Sequence, residues 1–98
     1  MSDGDSRTYR FLVFVADHES DARQSIAALS EALDRFIPGQ YQIELVDVLR
    51  DPERAEQENV FATPMLVRSR PSPTVRILGD LGEPERLIAL LGLEKPAD

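Results

Sequence analysis

The chain has 98 residues, enough for one domain with a modest core and too few for two. Hydrophobic residues make up 42% and charged residues 30%, the balance of a globular chain rather than a disordered one. The formal net charge of −7 argues against non-specific binding to nucleic acid or an anionic membrane, because both polyanions repel it. There is no cysteine, which excludes disulfides, thiol redox chemistry and thiolate metal sites.

Met1 to Ser6 is short, acidic and polar, unlike a secretory signal. The longest apolar run, Phe11 to Ala16, is far below the ~20 residues of a membrane span. The expectation is a cytoplasmic protein with a single domain over residues 1–98, residues 1–7 and 94–98 being flexible.

Phe11-Leu12-Val13-Phe14-Val15-Ala16 is a short apolar run rich in β-branched and aromatic residues, which predicts a strand buried on both faces at the centre of a sheet. Asp17, Ser20 and Asp21 supply capping and first-turn chemistry for a helix. In that helix Ala22, Ile26, Leu29, Leu33 and Phe36 recur at spacings of four and three, and Pro38-Gly39 stops it. Tyr41, Ile43 and Leu45 alternate with Gln42 and Glu44, so a strand with one more exposed face follows and runs through Val46-Asp47-Val48-Leu49. The three elements predict a right-handed parallel βαβ unit.

Asp51-Pro52-Glu53 starts a second helix, but Glu53 to Asn59 offers little apolar surface except Ala55. Pro64 interrupts the apolar stretch Val60 to Val67 and implies an edge, a bulge or a cis bond at a strand start. Arg70-Pro71-Ser72-Pro73 is a turn, Thr74 to Leu78 a further strand, and Pro84 opens a last helix over Glu85 to Leu91 with Gly92 at its end. The order βαβαββα predicts a thioredoxin-like α/β fold, a mixed four-stranded sheet with helices on both faces.

A thioredoxin-like enzyme would carry its nucleophilic cysteine after the first strand, and the segment there reads Ala16-Asp17-His18-Glu19-Ser20-Asp21. Without a thiol, or a CxxC motif, there is no disulfide exchange. His18 is the only histidine, and its ordinary reading is a solvated loop residue rather than a ligand or base. Ser20 is better explained by capping than by nucleophilic catalysis. Asp47 suits a structural carboxylate at a strand end, and Glu53, Glu56 and Glu58 a solvated helix face. Gly79-Asp80-Leu81-Gly82 lacks the spacing of a phosphate loop. No catalytic residue, metal site or cofactor is expected. Arg68, Arg70 and Arg76 can gather on one side of the hairpin, either as a docking spot for an acidic partner or as ordinary solvated surface.

Val13-Phe14-Val15-Ala16, Tyr41, Val46-Asp47-Val48-Leu49, Pro52, Ala62-Thr63-Pro64, Leu66 and Ile77-Leu78-Gly79-Asp80-Leu81 together resemble the KaiB family in order and spacing. The sensor domain of SasA-type histidine kinases is similar too. The resemblance implies a non-catalytic adaptor that binds a KaiC-like ATPase in a circadian clock, timing or stress-signalling assembly, with a scaffold for a histidine kinase as the alternative. It also implies a metamorphic chain with a second fold of the C-terminal half, and leaves room for a homo-oligomer, dimer or tetramer.

The expected partner-binding residues are Arg68, Arg70 and Arg76, with Gln42 and Glu44 if the second strand lies at a sheet edge. Pro64 is the expected cis proline. Where cyanobacterial relatives carry Gly-Leu-Asp, this chain has Leu90-Leu91-Gly92. Leucine for a helix-interior glycine favours helix by under ~1 kcal/mol, so this chain is expected to rest in the thioredoxin-like form more than they do. Glu44 and Asn59 stand where those relatives have lysine.

Overall fold

Seven elements form in the expected order: β1 (Tyr9–Val15), α1 (Ser20–Leu33), β2 (Tyr41–Asp47), α2 (Pro52–Gln57), β3 (Met65–Arg70), β4 (Val75–Leu78) and α3 (Pro84–Leu90). The computed structural model describes residues 8–16, 20–79 and 82–93. His18, the side chains expected to cap α1, Asp80 and Leu81, and both terminal stretches lie outside the described parts.

The sheet has the order β2-β1-β3-β4, with β1 parallel to β2 and antiparallel to β3. The apolar run of β1 therefore sits in the interior of the sheet, with Phe11, Val13 and Phe14 fully buried. Its two sets of alternating side chains face two separate cores. Phe11, Val13 and Val15 pack with Leu66 under Leu29, Ala32 and Leu33 of α1 and Leu87 and Ile88 of α3. Leu12 and Phe14 face the other way and pack with Val46, Val67, Ala55 of α2 and Val60. Each large side chain so buried contributes about 1.5–3 kcal/mol.

Strand β2 ends at Asp47, earlier than the sequence pattern suggests. The Asp47 carboxylate accepts the Leu49 amide at 2.9 Å, which turns the chain out of the sheet. Asp51 stands at the N-terminus of α2 but makes no side-chain cap; its carbonyl accepts the Arg54 amide instead.

Both short helices end in a Schellman arrangement. In α3 the Leu93 amide reaches the Ile88 carbonyl and the Gly92 amide the Ala89 carbonyl, with Gly92 at φ 79°. In α2 the Val60 amide reaches Ala55 and the Asn59 amide Glu56, with Asn59 at φ 59°. The peptide bonds before Pro64, Pro71 and Pro73 are cis, the first as expected and the other two not anticipated.

Candidate protein-docking face

Strand β2 lies at one edge of the sheet and β4 at the other. Alternation along β2 sends Tyr41, Ile43 and Leu45 toward α1, and Gln42 and Glu44 toward the α2 side, opposite Arg10 and Leu12 of β1. Gln42 is exposed beside a strand edge that no other strand of the sheet covers.

The Glu44 carboxylate receives two hydrogen bonds from the Arg54 guanidinium, both at 2.9 Å, and a longer one from Arg10 at 3.3 Å. This fork ties α2 to β2. The Arg54 hydrogen bonds, helped by the positive charge of Arg54 and Arg10 and opposed by partial burial, hold the Glu44 carboxyl below its ordinary value. The same pairing raises the Arg54 pKa.

The hairpin arginines do not gather on one side. Arg68 stands opposite Phe11 and Val75, on the α1/α3 side, and reaches two carbonyls, Leu91 at 3.1 Å and Pro73 at 3.0 Å. Its Nε is buried without a partner. Arg68 thus clasps the end of α3 to the hairpin turn. Arg76 stands opposite Val67, on the α2 side, and its Nε donates to the Glu58 carbonyl at 3.0 Å, just past the end of α2. The alternation of a strand separates neighbours of odd spacing, and the register fixes which face each takes.

Arg70 should share the face of Arg68, two residues away. It does not, because β3 bulges: Phe11 pairs with Arg68 and Arg10 with Arg70, leaving Ser69 as the extra residue. Arg70 is turned toward the α2 side next to Arg10 and Gln42. It is exposed and makes no hydrogen bond or ion pair among the described residues. Four of the five expected binding residues, Gln42, Glu44, Arg70 and Arg76, thus share the α2 side, and Arg68 is across the sheet.

Exposed apolar side chains accompany them. Leu78, opposite Met65, is 58% exposed on the α2 side, and Phe61, in the loop after α2, is 86% exposed. Leu90, at the end of α3, is half exposed on the other side of the molecule. The sequence pattern does not point to Arg10 or Arg54. Nothing local marks them: Glu44 lies ten residues from Arg54 and thirty-four from Arg10.

Among the described residues no three His, Cys, Asp or Glu side chains converge as a metal site would require. No helix among them is long and apolar enough to cross a membrane.

The KaiB domain family matches residues 12–93 of this chain. The circadian clock oscillator protein KaiB of Prochlorococcus marinus strain MIT 9211 is 34% identical over 88 residues, which cover 90% of this chain and 75% of that protein. The protein of that name from Trichodesmium erythraeum is 33% identical over 88 residues, covering 90% of this chain and 83% of it. Among solved structures, the N-terminal domain of Synechococcus elongatus SasA superposes with a TM-score of 0.66 at 19% identity, over 90% of this chain and 87% of that one. Fasciola hepatica thioredoxin gives 0.65 at 22% identity, over 94% and 86%. These last two likenesses establish the thioredoxin-like fold.

Proposed function

Because this chain belongs to the KaiB family, we propose that it is a non-catalytic adaptor that docks on a KaiC-like ATPase through the α2 side of its sheet. Its role is then to regulate a clock-like, timing or stress-signalling assembly. The observation that carries the reading is that Gln42, Glu44, Arg70 and Arg76 share one side of the sheet, with Gln42 and Glu44 on the open edge strand β2 and Arg76 near the exposed Leu78 on β4. An open edge offers main-chain hydrogen bonds to an extended partner segment, and flanking side chains select the segment. Arginine forks in a chain of net charge −7 direct an acidic stretch of the partner to this side rather than to another. A thiol nucleophile is missing from the whole sequence, so thioredoxin chemistry is not part of the reading.

The test is to mix the purified chain with the KaiC-like ATPase of the same organism, in ATP and in ADP, and to measure complex formation by size-exclusion chromatography with light scattering. A complex whose amount depends on the nucleotide, and which Arg76→Glu weakens by about tenfold or more, is expected. No complex in either nucleotide overturns the reading. Binding to a histidine kinase instead would make the chain a sensor-type scaffold.

A further inference from the structure

At the end of the sheet where β1 begins, Thr8, Arg10, Gln42 and Arg70 line one shallow depression of about 220 Å³. Two features set it apart from an ordinary patch of solvated charge. Arg10 and Arg70 occupy directly paired positions on β1 and β3, and like charges placed opposite each other in a sheet repel. The arrangement also depends on the bulge at Ser69. A regular strand would place Ser69 opposite Arg10 and turn Arg70 to the other face.

Among the described residues this positive charge is only partly compensated. Glu44 is committed to Arg54 through the two shorter hydrogen bonds and gives Arg10 only the 3.3 Å contact. Arg70 has no acidic partner among the described residues, in a sequence with eighteen Asp and Glu. The two charged groups that line the depression, Arg10 and Arg70, are both cationic. The neutral groups in it, the Gln42 amide and the Thr8 hydroxyl, are both hydrogen-bond donors.

We propose that this depression is an anion site for a phosphate dianion, free or carried as a phosphomonoester. Its size suits one phosphate group with a small substituent. The guanidinium forks of Arg10 and Arg70 take two oxygens from either side, and Gln42 and Thr8 supply further donors. A dianion offsets the charges of the two lining arginines and removes the repulsion between them. The site does not depend on the adaptor reading and goes beyond it.

The test is a titration of the full chain with inorganic phosphate, and separately with phosphoserine, at neutral pH and constant ionic strength, followed by amide chemical shifts. Saturable shifts centred on Thr8, Arg10, Gln42 and Arg70 are expected, and Arg70→Ala should weaken binding by about tenfold, with Arg70→Lys recovering part of it. Arg70 is exposed and makes no hydrogen bond or ion pair among the described residues, so its removal leaves the fold intact. Tighter binding of phosphoserine identifies an ester as the natural source, and tighter binding of inorganic phosphate identifies the free ion. Both support the site. Shifts that rise linearly without saturation, that lie elsewhere, or that are unchanged in Arg70→Ala overturn it.

Discussion

The two faces of this sheet are closed by different means. On one side a fourteen-residue helix, α1, and α3 lay a continuous apolar surface over Phe11, Val13 and Val15. On the other side stands α2, a helix of six residues that buries only Ala55 from its own length. A helix that short has no stability of its own in water. It is held by links that are mostly polar: the Arg54–Glu44 fork to β2, the Arg76 bond to the Glu58 carbonyl, and the turn at Asn59 that delivers Val60 to the core. The α1/α3 side supplies most of the cohesion of the fold, and the α2 side leaves charged groups and a strand edge exposed.

The α1/α3 side is not wholly apolar at its margins. The Tyr41 hydroxyl lies 2.7 Å from an Asp34 carboxylate oxygen and 3.1 Å from the Ser30 carbonyl, tying β2 to the end of α1. Burial, first among the causes, pushes the Tyr41 pKa up. Arg35 and Glu85 bridge α1 and α3 at 2.9 Å, but both are well exposed, so the pair adds little.

The largest test of the comparison is cavity formation. Leu33→Ala, in the fully buried centre of the α1/α3 side, should cost about 2–5 kcal/mol in equilibrium denaturation, through lost transfer energy and the void left behind. Val60→Ala, on the α2 side, removes two methyl groups and should cost about 1.5 kcal/mol. Equal losses would break the distinction. Next in size, Arg68→Ala removes both charge-assisted bonds that clasp α3 and should cost about 2 kcal/mol. Faster amide exchange at Leu91 to Leu93 in that variant, with α2 unaffected, would place the loss on the expected side.

Asn59 offers a smaller and sharper test. Its positive φ lets α2 end and Val60 turn inward. Asn59→Val should cost about 1–2 kcal/mol because a β-branched side chain resists that conformation, whereas Asn59→Gly should be close to neutral. The smallest effect is expected at Glu44, which is partly exposed, so Glu44→Gln should cost under about 1 kcal/mol at neutral pH. Its folded-state pKa lies below the ordinary carboxylate value. The stabilisation is therefore fully present above the unfolded value and lost as pH falls through the folded one. The wild type and Glu44→Gln should converge in stability on acidification, and a difference that persists in acid would contradict the assignment.

Much of the fold could be read from the residues because the signals are local. Phe11 to Val15 is an unbroken apolar run, Leu29 and Leu33 keep helical spacing, and Pro52, Pro84 and Gly92 mark helix ends. The order of the elements then left few topologies. The proposed docking side was only half legible. Gln42 and Glu44 showed their alternation, but the sequence could not say that Arg68 and Arg76 take opposite faces. That follows from the register between β1, β3 and β4, which is a long-range property. The bulge that turns Arg70 toward Arg10 has no local mark either, since Ser69 is an ordinary strand residue and its hydroxyl only approaches the Arg10 carbonyl, at 3.5 Å. Leu90 ends α3 half exposed, and Gly92 takes the left-handed turn beyond it.

The most direct test of the account is hydrogen exchange of the chain, free and in complex with the KaiC-like ATPase. Protection gained at the outward-facing amides of Ile43 and Leu45 in β2, at Arg70, and at Arg76 of β4, with α1 and α3 unchanged, is the predicted result. Protection concentrated on α1 and α3, with the α2 side still exchanging as in the free protein, would contradict it.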